Sequence, residues 1–270
     1  MYVDSHCHLS FPDLYSRIPA VRADMAAAQV DRALVICTTL EEFNTVHGLA
    51  LAHDNFWCTA GVHPDNEDVE EPSLERLQQL AQQPRVVGVG ETGLDYFRLN
   101  GRSVADMAWQ RERFAVHIAV AAAVAKPLVI HTRSASADTL AMLRDAQTAS
   151  GGALTGVFHC FTETVEVARA ALDLGFDISF SGILTFKTAA DLRAVAAFVP
   201  LHRCLIETDS PYLAPVPHRG RSNSPAWVPH VAAELARIKA LSVEAVAAAT
   251  SRNFERLFQL PQPANLGQIS

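Results

Sequence analysis

Short apolar runs and longer mixed stretches alternate along this chain with great regularity. The apolar runs are β-rich and lie at 2–6 "YVDSH", 33–38 "ALVICT", 56–62 "FWCTAGV" and 86–90 "VVGVG". Four more follow at 127–132 "PLVIHT", 153–160 "ALTGVFHC", 176–181 "FDISFS" and 203–208 "RCLIET". Between them lie stretches rich in Ala, Leu, Glu, Gln and Arg, among them 73–82, 104–125, 135–149, 163–174 and 188–198, which predict helices. Continuous apolar strands separated by helices predict an α/β protein with a parallel sheet covered on both faces. Eight such units in about 250 residues match the count and length of a (β/α)8 TIM barrel. A doubly wound open sheet is the alternative, because periodicity does not tell whether a sheet closes. No Pro/Gly/Ser-rich linker divides the chain, so residues 1–260 are expected to form one domain. Within it, 226–258 is expected to pack as helix over the barrel exterior, and 261–270 "PQPANLGQIS" to be a frayed tail.

Composition narrows the classes of function. Of 270 residues, 49% are hydrophobic and 19% charged, as in ordinary globular proteins. The longest nearly apolar run, 115–125 "AVHIAVAAAVA", is too short to span a bilayer and contains His117, so no membrane role is expected. The net charge of −7 argues against a sequence-independent binder of duplex DNA, which would be basic. It leaves room for a narrow site where bound metal ions supply positive charge locally. Cys7, Cys37, Cys58, Cys160 and Cys204 form no CxxC pair and are spread through apolar segments. With no signal-peptide pattern at the N-terminus, they predict reduced thiols and a cytoplasmic location.

The polar residues that interrupt the strands are concentrated at one place. In "DSHCHL", residues 4–9, His6 and His8 are two apart, so a strand points both to one side and Cys7 to the other. Strand 3 ends in "GVHP" with His63, and strand 4 runs into "GETGLDY" with Glu91 and Asp95. Strand 5 ends in "IHTR" with His131 and Arg133, strand 6 in "FHCF" with His159, and strand 8 in "ETDSPYL" with Glu207 and Asp209. All occupy the C-terminal ends of strands, where barrel enzymes place their chemistry. The remaining histidines (His47, His53, His117, His202, His218 and His230) fall in helices or connections and read as structural or surface residues.

Four histidines with carboxylates exceed what one zinc ion needs and suit a pair of divalent ions sharing a carboxylate. His6 and His8, helped by Asp209, are expected to hold one ion, and His131 with His159 the other. Glu91 lies between these groups in strand order and is the expected bridge. Glu207 is open to three readings: an orienter of a ligand, a ligand of a third ion, or a carboxylate that only lines the barrel. Mixed N/O ligation would accept zinc, manganese or magnesium.

These motifs, with "RGRSNSP" and the closing "TSRNFERLF", resemble the TatD-type metal-dependent deoxyribonucleases of the amidohydrolase superfamily. The resemblance runs from Met1 to about Leu260, with the separated motifs in the family's order. It implies a distorted TIM barrel that hydrolyses DNA phosphodiesters, often from a 3′ end. It also implies metal ligation by His6, His8, Glu91, His131, His159 and Asp209. Glu91 stands where many amidohydrolases carry a carboxylated lysine. One departure is "NSP" at 223–225, where the family more often has Asn-Glu-Pro.

The implied mechanism has two divalent ions holding phosphate oxygens and acidifying a water, with Asp209 accepting its proton as general base. His63 and Arg133, at strand ends, and Arg219 are the expected phosphate contacts, with Lys187 and Arg221 as further candidates; Lys187, Arg219 and Arg221 read equally well as solvated loop charges. The expected substrates are single-stranded or frayed DNA ends, with no obligate protein partner. The alternative is hydrolysis of a small amide, ester or lactone at the same centre, which an apolar pocket rather than a basic mouth would favour.

Overall fold

A computed structural model describes residues 1–260. The expected tail at 261–270 lies outside the described residues. The strands are β1 (Tyr2–Cys7), β2 (Val30–Val35), β3 (Phe56–Ala60), β4 (Val86–Asp95), β5 (Leu128–Arg133), β6 (Gly156–Phe158), β7 (Asp177–Phe180) and β8 (Cys204–Ile206). The helices are α1 (Pro12–Tyr15), α2 (Ile18–Ala27), α3 (Phe43–Ala52), α4 (Leu74–Ala81), α5 (Ala108–Val124), α6 (Ser136–Ala149), α7 (Val165–Asp173), α8 (Ala190–Phe198), α9 (Val228–Lys239) and α10 (Val243–Leu257). The strands pair in sequence order, all parallel, from β1 to β8. The ring then closes: Asp209 N donates to His6 O at 2.9 Å and His8 N to Ser210 O at 2.8 Å. Asp4 reinforces the closure by accepting from Thr208 N at 2.8 Å and Thr208 Oγ1 at 2.5 Å. The architecture is the (β/α)8 barrel, and the open-sheet alternative falls.

Two apolar clusters build it. The larger lies between strands and outer helices and includes Cys7, Val35, Cys58, Phe114 and Leu143. The smaller takes Val3, Leu34, Val129, Val157 and Leu205 from five strands and joins them to Phe254, Leu257 and Phe258. These last residues belong to the C-terminal segment expected on the exterior. Only α9 behaves so, packing beside α8. Helix α10 instead crosses the N-terminal mouth of the barrel. There Asn253 Nδ2 donates to Leu201 O and Cys204 O, both at 2.8 Å. The apolar plug leaves the opposite, C-terminal mouth free for polar side chains.

Strand β4 runs five residues beyond its expected end, through Asp95. Its register with β5 shifts between Val89 and Thr92, around Glu91. Glycine is required on both sides of that shift. A Cβ at Gly90 (φ +152°) would meet Val129 O at 2.7 Å, and one at Gly93 (φ +129°) would meet His131 O at 1.9 Å. The "GETG" spacing therefore lets the backbone press against β5 while Glu91 stays 3% exposed within the barrel.

Candidate metal centre

A cavity of about 630 Å³ opens at the C-terminal mouth, lined among others by His8, His63, Glu91, His131, His159 and Asp209. Strand β1 also has a register shift between Asp4 and Cys7, and both His6 and His8 face inward. Their Nε2 atoms are 3.3 Å apart, and His8 Nε2 is 3.2 Å from Asp209 Oδ1. Imidazole nitrogens at that separation can share one tetrahedral ion. On the other side, His159 Nε2, His63 Nε2 and His131 Nδ1 lie 2.8, 3.3 and 3.4 Å from Glu91 Oε1. Glu91 Oε2 faces the first group, 3.2 Å from His6 Nε2. Its two oxygens thus address two separate ligand sets.

The donor set fits metal ions on an observation independent of spacing. Glu91 Oε2 and His159 Nε2 are buried and have no hydrogen-bond partner in the protein, although they point into the cluster. Such groups are costly unless something else satisfies them. The two halves also touch directly, since the His6 and His159 rings stack at 3.8 Å with planes 7° apart.

Outer hydrogen bonds assign the tautomers and sort the histidines. His131 Nε2 donates to Asp95 Oδ2 at 2.9 Å, which frees Nδ1 for a cation. His159 Nδ1 donates to Glu207 Oε1 at 3.3 Å, which frees Nε2. His63 is different: its Nδ1 accepts from Asp65 N at 3.0 Å, so Nε2 carries the proton. His63 is therefore built to donate into the cavity, as a phosphate contact would, although it groups spatially with Glu91 and His131. Glu207, fully buried, also accepts from Cys160 N at 2.7 Å and Ser179 Oγ at 2.5 Å. With its oxygens so occupied, it orients His159, although His6, His159 and Glu207 are close enough to hold an ion.

Electrostatics follow from the crowding. Burial pushes the Glu91 carboxyl up, but the charges of His159, His63 and His6 outweigh it and hold the group well below the usual range. Asp209 behaves alike: burial raises it, and the hydrogen bond from His8 with the charges of His6, His8 and His159 holds it low. Both carboxylates are ionised at neutral pH and available to cations.

The structure places the expected phosphate contacts unequally. Arg133 lines the cavity, its guanidinium 3.6 Å above the Phe97 ring. Arg219 stacks on Phe186 at 3.6 Å and is not among the described residues lining that cavity. Lys187 is exposed and also outside it, and Arg221 lines a second cavity with Trp227, His218 and His230. Arg98 was not anticipated, yet it lines the main cavity near Arg133.

A larger omission is a polar stripe on α5. Gln110, Arg113 and His117 are 0%, 3% and 0% exposed, and all three brace the ends of β3 and β4. Gln110 Oε1 accepts from Asp95 N at 2.9 Å. Arg113 Nη1 donates to His63 O and Asn66 O, both at 2.8 Å, while its other nitrogens pair with Glu71. His117 Nε2 accepts from Val62 N at 2.9 Å, and its Nδ1 donates to Arg113 O at 2.8 Å. The i, i+3, i+7 spacing in "QRERFAVH" was the available signal, three polar residues on one helical face. Asn223 also has its role: its Nδ2 donates to Thr208 O at 2.9 Å and Tyr212 O at 2.6 Å, pinning the backbone on both sides of Asp209.

Sequence comparison decides the family. The family described as TatD related DNase matches residues 3–259. The chain belongs to the TatD family. It is a metal-dependent hydrolase: it is 46% identical over 261 residues to the metal-dependent hydrolase YcfH of Escherichia coli, covering 96% of each chain. It is 37% identical over 238 residues to a Cronobacter turicensis family member named 3'-5' ssDNA/RNA exonuclease TatD, covering 86% of this chain and 88% of that protein. The solved structure of YjjV, a TatD homologue from Escherichia coli, superposes with a TM-score of 0.88 at 28% identity, covering 96% of this chain and 98% of the other. A TatD family hydrolase from Entamoeba histolytica has the same fold, with a TM-score of 0.79 at 20% identity, over 96% of this chain and 98% of that one. Among the described residues, no helix is long and apolar enough to cross a membrane.

Proposed function

We propose that this family member is a deoxyribonuclease that removes nucleotides from single-stranded or frayed DNA ends at a centre of two divalent ions. The observation that carries the reading is Glu91, whose oxygens face two ligand sets beneath a mouth bearing Arg98 and Arg133. His6, His8 and Asp209 would hold one ion, His131 and His159 the other, and Glu91 both. When bound, the ions supply Lewis-acid charge for a phosphate oxygen and make water more acidic.

The chain's own groups do the rest. Asp209, held ionised, accepts a proton from the attacking water at a carboxylate oxygen. His63 Nε2–H and the guanidinium groups of Arg98 and Arg133 donate to phosphate oxygens and fix the scissile bond. Asp95 and Glu207 keep His131 and His159 in the tautomers that face the cavity. The relative named an exonuclease supports the same reading. Arginines at the mouth favour it over hydrolysis of a small amide or lactone. The five free cysteines fit a reducing cytoplasm.

The deciding experiment incubates metal-loaded protein with end-labelled single- and double-stranded DNA beside a panel of amides and lactones. Stepwise shortening of single strands, abolished by chelation and restored by a divalent ion, is the expected result. Turnover confined to amides or lactones would replace the reading.

A further inference from the structure

The cavity mouth has two chemically different lips. Because β8 closes on β1, the loops after these strands are neighbours, and they carry Tyr212 and Phe11. The loop after β4 and the C-terminal end of β5, on the far side of the ring, carry Arg98 and Arg133 respectively. The ligand cluster lies between an aromatic lip and a cationic lip.

Tyr212 is 54% exposed, yet its backbone is fixed. Its N donates to Asp209 O at 2.9 Å, and its O accepts from the fully buried Asn223 at 2.6 Å. Phe11 supports the ring edge-on, with centroids 6.1 Å apart and planes at 78°. Phe11 itself lies nearly parallel to His8, at 4.8 Å. An aromatic ring held from behind and open in front is a stacking surface prepared before any ligand arrives. On the other lip, the contact with Phe97 holds the Arg133 guanidinium at the rim.

Resting on the nuclease reading, we propose that Tyr212, backed by Phe11, is a base-stacking subsite for the nucleotide beside the scissile phosphate. The strand lies across the mouth with that base on the aromatic lip and its phosphates toward Arg98 and Arg133. Stacking accepts any base, because every base has a π-face. A base inside a duplex has both faces covered by its neighbours. The subsite therefore admits single strands and frayed ends and gives the enzyme a strand preference without reading sequence.

The test uses the full-length, metal-loaded protein and two labelled single strands. One is oligothymidylate; the other is the same length with the two terminal nucleotides at each end made abasic, which keeps every phosphodiester. Wild-type KM should rise about tenfold on the abasic strand, within the range of one lost stacking contact. Tyr212→Ala should raise KM by a similar factor on oligothymidylate, leave kcat within about twofold, and add nothing further on the abasic strand. Tyr212→Phe should restore wild-type KM, and unchanged metal content with an unchanged melting curve should accompany both variants. Wild-type KM in Tyr212→Ala, or an equal loss on both strands, overturns the subsite. Failure of the wild type to cut either strand overturns the nuclease reading and the subsite with it, and that control separates the two failures.

Discussion

The candidate metal centre has two halves that are held in different ways. The half built from His6, His8 and Asp209 stands where the barrel closes, and backbone bonds between β1 and the chain after β8 set its geometry. The half around Glu91, His131 and His159, with His63 beside it, is held by strand backbone as well, Glu91 N donating to Cys37 O and His63 N to Thr38 O, both at 2.9 Å. Side chains brace it further: Asp95 holds His131, and the α5 stripe holds Asp95, the His63 backbone and Val62. Backbone pairing is nearly indifferent to side-chain identity, whereas a buried side-chain brace fails when one member is replaced. The first half should therefore depend on few side chains besides its ligands, Asp4 and Asn223 among them, and the second on a longer chain of residues remote from the cavity.

The largest effect tests the first half. Asp209→Asn keeps a carbonyl oxygen for a metal but cannot accept a proton as a carboxylate does. We expect normal folding, most of the metal retained and turnover lowered by about 10²–10⁴-fold. Turnover followed through a metal titration, with bound metal counted at each point, checks it. Recovery to the wild-type rate at saturating metal would leave Asp209 as a ligand only.

The next effect belongs to the brace and is read as stability. Burial, with the nearby Arg113 charge, pushes His117 from 6.5 down to about 4, against its bond to the Arg113 carbonyl. The unfolded chain therefore takes up this proton first as pH falls. The contribution of neutral His117 is full above pH 6.5 and is lost progressively toward pH 4, roughly 3 kcal/mol in all. His117→Gln can keep both backbone bonds without titrating. Urea unfolding of chelated wild type and variant across this pH window should differ in slope by about one proton. Equal slopes would mean that His117 is not buried neutral.

Asp95→Asn sharpens the contrast between the halves. It leaves one neutral amide oxygen where the two carboxylate oxygens of Asp95 accept from His131 Nε2 and from Phe97 N, and should weaken the ion held with His131 by about 10–100-fold, leaving the ion at His6 and His8 in place. Calorimetric metal titration should resolve one weakened and one unchanged site. Equal weakening of both would show that the halves are not braced independently.

The smallest effect is expected at Arg219, whose guanidinium rests on Phe186. Arg219→Ala should change KM for a DNA end by less than about twofold, as surface substitutions generally do. Arg133→Ala should raise it more without altering metal content. A larger loss at Arg219 than at Arg133 would reverse the roles drawn from the cavity lining.

The sequence by itself determined the barrel and the polar residues gathered at its C-terminal mouth. Eight apolar runs at helix-length spacing leave few other folds, and polar residues at strand ends stand out against Val, Ile and Leu. His6 and His8 were legible because strand geometry puts i and i+2 on one side. Only the tertiary structure decided how those residues are held. It distinguished His63 from His131, since the difference is the partner of each ring's second nitrogen, and Asp65 and Asp95 are set by loop and strand geometry. It moved α10 from the barrel's side to its base, because a helix's apolar stripe does not name the surface it will cover. It also gave Gln110, Arg113 and His117 their work. A buried polar side chain is specified by partners 15 to 55 residues away, and local periodicity carries no record of them.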